Sequence, residues 1–93
     1  MTKEEARACL DKGIKYIDEG QTKLAWSEFS KVEMEMVDPS IKSEAIVGEG
    51  VVYTAEGNFS AAIDKFRYAL ENDPHNPNAL AFMRKAQQAY YNR

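Results

Sequence analysis

The side chains able to do covalent, acid–base or metal chemistry are few in this sequence, and they stand apart. There is one cysteine, Cys9, and one histidine, His75. Cys9 falls on the apolar side of a helical pattern with no histidine beside it, so it reads as a small core residue rather than a nucleophile. His75 lies in the turn Asp73-Pro74-His75-Asn76-Pro77, a solvent-facing position, and a zinc site would need several Cys or His ligands. Gly48-Glu49-Gly50 is a lone Gly-x-Gly with no third glycine and no preceding strand, which argues against a phosphate loop. Glu33, Glu35 and Asp38 read as a solvated helix end that offers a cation or a basic partner nothing specific. Trp26, Tyr16 and Tyr53 recur at helical spacing and read as packing residues. No carboxylate pair, triad, metal cluster or cofactor motif emerges, so the expected function is non-enzymatic and without a cofactor.

The bulk properties narrow the classes further. Ninety-three residues make one small domain over 1–93, able to bury roughly two thirds of the surface of its unfolded chain. The net charge is −3, with acids and bases mixed and no basic run. Nucleic acid and anionic membrane both need clustered Lys and Arg, so neither is the expected partner. The start, Met1-Thr2-Lys3-Glu4-Glu5, is charged and leads into no long apolar stretch, so neither a signal peptide nor a transmembrane span is expected. A single cysteine forms no internal disulfide, and a reducing cytoplasm is the expected compartment.

Five helical segments must position whatever the chain presents. The first runs from about Thr2 to Glu19, with capping-box spacing at Thr2 and Glu5 and an apolar face through Ala6, Cys9, Leu10, Gly13, Ile14, Tyr16 and Ile17. Gly20 ends it, and Thr22 is the expected cap of a second helix carrying Leu24, Ala25, Trp26, Phe29, Val32, Met34 and Met36. Asp38 and Pro39 open a third, to Glu56, whose "AIVGEGVVY" has strand propensity but apolar residues on more than one helical face. The fourth, Asn58 to about Asn72, buries Phe59, Ala62, Ile63, Phe66, Ala69 and Leu70. The last, Pro77 to about Asn92, starts from an Asn76 cap and is apolar on one side, through Ala79, Phe82, Met83, Ala86, Ala89 and Tyr90.

The chain also repeats itself. "EGQTKLAWSEF", Glu19 to Phe29, returns as "EGNFSAAIDKF", Glu56 to Phe66, thirty-seven residues later. At the same separation Gly13 matches Gly50, Tyr16 matches Tyr53, Gly20 matches Gly57, Ala25 matches Ala62, Phe29 matches Phe66 and Val32 matches Ala69. This pattern resembles the tetratricopeptide repeat (TPR), through Gly50, Tyr53, Gly57, Ala62, Phe66, Ala69 and Pro74, with Ile46 where the family prefers Trp. The resemblance covers nearly the whole chain: a first repeat over about 6–39, a second over about 43–76 and a closing helix over about 77–92. It implies an all-α, right-handed α-solenoid of two helix-turn-helix units with a closing helix.

Two departures stand out. The separation exceeds the family's period of about thirty-four, and two of the extra residues fall in "KVEMEMVDP". If they prolong the second helix, Met34 or Met36 projects as an adaptable contact; otherwise both pack under the Asp38-Pro39 turn. Lys12 and Glu49 also stand where the family usually places apolar residues, and are open to pairing across the units as an exposed pair of little weight.

The resemblance implies a protein-interaction adaptor whose first helices line a concave groove. Arg7, Leu10, Ile14 and Ile17 from the first unit would line it. Glu44, Val47, Val51 and Thr54 would come from the second, with Ala81 and Lys85 from the closing helix. The expected ligand is an apolar peptide or amphipathic helix of a partner protein. Self-association into a homodimer, or a place as accessory subunit of a larger complex, is the alternative. Chaperone-binding members hold terminal carboxylates with cations on these helices. The matching positions here carry Leu10, Ile14, Gly48, Asn78 and Phe82, so acidic C-terminal tails are not expected to bind.

Overall fold

Local capping chemistry sets most of the helix ends. The computed structural model describes residues 1–92, so Arg93, counted within the expected domain, lies outside the described residues. The helices are α1 (Lys3–Asp18), α2 (Thr22–Glu33), α3 (Pro39–Ala55), α4 (Phe59–Asn72) and α5 (Pro77–Tyr91), and no strand occurs among the described residues. Thr2 and Glu5 form the capping box of α1, and Glu5 accepts the Thr2 amide at 2.7 Å. That hydrogen bonding, backbone first, holds the Glu5 carboxyl below its ordinary pKa. Gly20 and Gly57 turn the chain between the helices of each hairpin with φ of 76° and 79°, a left-handed conformation in which a side chain is strained.

Three expectations for these ends need correction. Gln21, not Thr22, is the N-cap of α2, and Thr22 is its first helical residue. Asp38 does stand at the N-cap of α3, but its carboxylate makes no capping bond and instead approaches Lys3 at 3.7 Å. The extra residues of the first unit do not lengthen α2, which stops at Glu33 with Met34 as C-cap. They form the link to α3, where the Glu35 amide donates back to the Val32 carbonyl at 3.2 Å. Met34 and Met36 are 84% and 101% exposed, so neither packs under the turn. Val37 does so in their place, against the first core.

Each helix packs on its neighbours in sequence, and α3 touches all four others. This explains why α3 is apolar almost all round. Its Ile41, Ala45 and Val52 join Ala6, Leu10, Ala25, Phe29 and Val32 in one core cluster. Its Ile46 and Val47 join Ala62, Phe66, Ala69, Ala79 and Ala86 in the other. β-Branched residues favour strands by packing well on a half-buried surface, and burial on several sides overrides that preference here.

The two clusters are built around phenylalanine rings seated on glycines. Phe29 is 1% exposed and lies between Gly13 of α1 and Gly48 of α3. A Cβ on either glycine would sit 2.5 Å from its ring. Phe66, also 1% exposed, lies on Gly50 of α3 in the same way, with Phe82 of α5 beside it at 6.0 Å between ring centroids. Glycine therefore serves close approach here, at a helix-propensity cost of about 1 kcal/mol each.

A buried polar relay ties the second unit to α5. The Ser43 hydroxyl donates to the Ala69 carbonyl at 2.8 Å and accepts from the Asn76 amide Nδ2 at 2.9 Å. Asn76 Oδ1 then caps α5 by accepting from the Asn78 and Ala79 amides. Ser43 is fully buried and Asn76 is 4% exposed.

Two substitutions probe these contacts. Gly48→Ala gains helix propensity but overpacks a buried ring that also presses on Gly13, so a net loss of about 1–2 kcal/mol is expected by urea denaturation. A stability equal to or above wild type would contradict the seat. Ser43→Ala leaves the buried Asn76 Nδ2 without its acceptor and is expected to cost about 1–3 kcal/mol. A change within about 0.5 kcal/mol, as for an ordinary surface substitution, would mean that the relay is dispensable.

Candidate functional site

A concavity of about 320 Å³ opens between α1, α3 and the start of α5. The 3.6-residue period of α1 brings Arg7, Leu10, Ile14, Ile17 and Asp18 to it, and α3 brings Glu44, Val47, Gly48 and Val51. Phe82 of α5, Asn76 and Asn78 close the far side, while Phe29 contributes to the lining from α2. Gly13 of α1 and Gly48 of α3 both press on the Phe29 ring, which forms part of the lining.

Of the ten residues expected in the groove, seven line this one concavity: Arg7, Leu10, Ile14, Ile17, Glu44, Val47 and Val51. Their exposures differ. Leu10 and Val47 are 3% and 6% exposed and belong to the floor, whereas Ile14 is 54% exposed and Ile17 and Val51 are half-buried. Thr54, Ala81 and Lys85 are not among its lining residues. Thr54 spends its hydroxyl on the Gly50 carbonyl at 3.0 Å within α3. Ala81 is exposed, and the exposed Lys85 lies over the Phe82 ring at 5.9 Å.

The charges at the mouth are engaged with each other. Both Arg7 terminal nitrogens donate to the Glu44 carboxylate, at 2.9 and 3.0 Å, in a two-bond fork across the two units. The Glu44 hydrogen bond first, and then its charge, raise the Arg7 pKa above the ordinary value. The fork is half-exposed on both sides, so its contribution to stability is small. Leu10, Ile14, Gly48, Asn78 and Phe82, the positions that would hold a terminal carboxylate, all line the concavity.

Sequence reasoning does not reach the lining roles of Asp18, Phe29 and Asn76. The available signal is Asn76 ahead of Pro77, a helix cap whose placement beside α3 brings it to the rim.

The remaining candidates for chemistry are scattered. Burial first, and then a hydrogen bond and the charge of Glu28, push the Cys9 thiol upward, away from the reactive thiolate. His75 is exposed in its turn, where its amide donates to Asp73. No group of three or more His, Cys, Asp or Glu with metal-binding geometry occurs among the described residues. No helix among them is long and apolar enough to cross a membrane. Glu49 does not form the exposed pair with Lys12: it is 1% exposed and is held by Lys65 of α4 and Ser30 of α2, while Lys12 faces solvent. Buried position and cross-helix partners, not the repeat register, decide that pairing.

Comparison with known proteins adds one relation. Over 78 residues, 84% of its length, the chain is 32% identical to tetratricopeptide repeat protein 14 of Mus musculus. The match spans 10% of that protein, so the chain corresponds to about a tenth of the relative's length. No family profile matches the chain. No solved structure matches it either. The likeness, over most of two helical hairpins, makes this chain similar to a segment of a tetratricopeptide repeat protein.

Proposed function

We propose that this chain is a TPR-type protein-interaction module whose concavity between α1, α3 and α5 receives an apolar peptide or amphipathic helix from a partner. The observation that carries the reading is the half-exposed Ile14 within an apolar hollow, at 54% exposure beside Ile17, Val51 and Phe82. Apolar groups left wet together on a protein surface mark an interaction site. A strip of this form accepts anchors spaced at i, i+3 and i+7 along a helix. The similarity to a tetratricopeptide repeat protein supports a protein partner over a small-molecule substrate. Because Arg7 is occupied by Glu44, the ligand's anchors are aliphatic or aromatic rather than acidic.

The test uses peptides selected from a displayed library against the intact chain. Methyl spectra are expected to shift at Ile14, Ile17 and Val51, with Trp26 fluorescence unchanged because Trp26 lies outside the hollow. Val51→Glu, folded by circular dichroism, is expected to weaken the selected peptide by about 2 kcal/mol or more, roughly thirtyfold in Kd. Rim charges act mainly on association rate, so Kd is expected to vary little with salt. Undiminished binding by the folded variant would overturn the reading, as would micromolar binding of an acidic C-terminal peptide.

A further inference from the structure

Away from the concavity, three charged side chains meet where α2, α3 and α4 join. Glu49 stands on α3 between the two seat glycines and is 1% exposed. Its Oε1 accepts from the Lys65 ammonium of α4 at 3.1 Å, and its Oε2 accepts from the Ser30 hydroxyl of α2 at 2.9 Å. Glu33 of α2, 18% exposed, lies 3.8 Å from the same ammonium, and its hydrogen bond and charge act on the Glu49 carboxyl. Lys65 lies over the Trp26 indole at 5.4 Å. One ammonium therefore serves two carboxylates, and with both ionised the cluster carries one uncompensated negative charge. Of the charges on the other helices packed against α3, Arg7 of α1 is held by Glu44 and Lys85 of α5 lies over Phe82. An uncompensated charge in a buried place is costly, and a proton held between the two carboxyls removes it.

We propose that the Glu33–Glu49–Lys65 cluster is a proton-operated latch between the two hairpins: on mild acidification it takes up one proton, and the hairpins are joined more firmly with that proton than without it. Burial first, and then the hydrogen bond and charge of Glu33, push the Glu49 carboxyl up to about 7, with Lys65 and Ser30 acting in the opposite sense. The folded state thus holds a proton that the unfolded chain, with an ordinary glutamate near 4.5, has already released. The stability contributed is complete below about pH 4.5 and is lost as pH rises through about 7. Lys65, itself raised above 10.5, stays charged across that window and does not confound it. The latch sits between Gly48 and Gly50, so it bears directly on the seats of Phe29 and Phe66.

The test is urea unfolding of wild type and Glu49→Gln from about pH 5 to about pH 8. Glutamine resembles the protonated carboxyl and cannot ionise. The unfolding constant of wild type relative to the variant is expected to rise about tenfold or more across that range. Equal pH dependence in the two proteins would overturn the latch. A second readout is independent of any variant: the carboxyl carbon-13 shifts of Glu33 and Glu49 in the wild-type protein. A midpoint near neutrality in either supports the proposal, and ordinary glutamate midpoints in both would overturn it even if Glu49→Gln does not fold.

Discussion

The Phe29 ring occupies the space that a side chain would take on two helices at once. Gly13 on α1 and Gly48 on α3 both press on it, and both backbones come close because neither carries a Cβ. Phe66 repeats the arrangement on Gly50, in the second hairpin. These contacts set how near α2 and α4 lie to α3, and therefore where α1 and α5 fall around it. Interiors are packed densely enough that such a spacing is a narrow choice, not a range.

Much else is a consequence of putting α3 in the middle. A helix touching four others needs apolar groups on most sides, and the places left for polar groups on α3 are correspondingly demanding. Ser43 meets the demand with two hydrogen bonds, to Ala69 and Asn76, which also fix the start of α5. Glu49 meets it with Lys65 and Ser30, at the cost of crowding a second carboxylate. On the opposite side of α3 no helix covers Val51 fully, and there the concavity opens beside Ile14 and Ile17. The same central helix thus carries a buried charge on one side and a partly wet apolar strip on the other.

How far the sequence reveals this depends on the distance over which each signal acts. The five helices are legible because periodicity and caps such as Thr2 and Asn76 are local. The glycine–phenylalanine correspondences are legible because the chain states them twice. For the concavity the guide is the family resemblance, which implies Arg7, Leu10, Ile14 and Ile17 as lining from the first helix, and all four do line it. The illegible part depends on contacts between helices. The Arg7–Glu44 fork and the Ser43–Asn76 bond join residues far apart in sequence. The depth of Leu10 and Val47 depends on what covers them, which no single-helix pattern contains. The end of α2 is misread because Pro39 is the first local stop signal after Phe29, whereas the helix ends at Glu33 and Val37 packs against the core from the link.

Phe29 packs against two glycines at once and thereby spaces the helices. Nuclear Overhauser contacts from the Phe29 ring test it most directly. Contacts from that ring to the α-protons of both Gly13 and Gly48 are expected, with Phe66 contacting Gly50 alone among the glycines. Contacts from Phe29 to only one of its two glycines, or to neither, would contradict it.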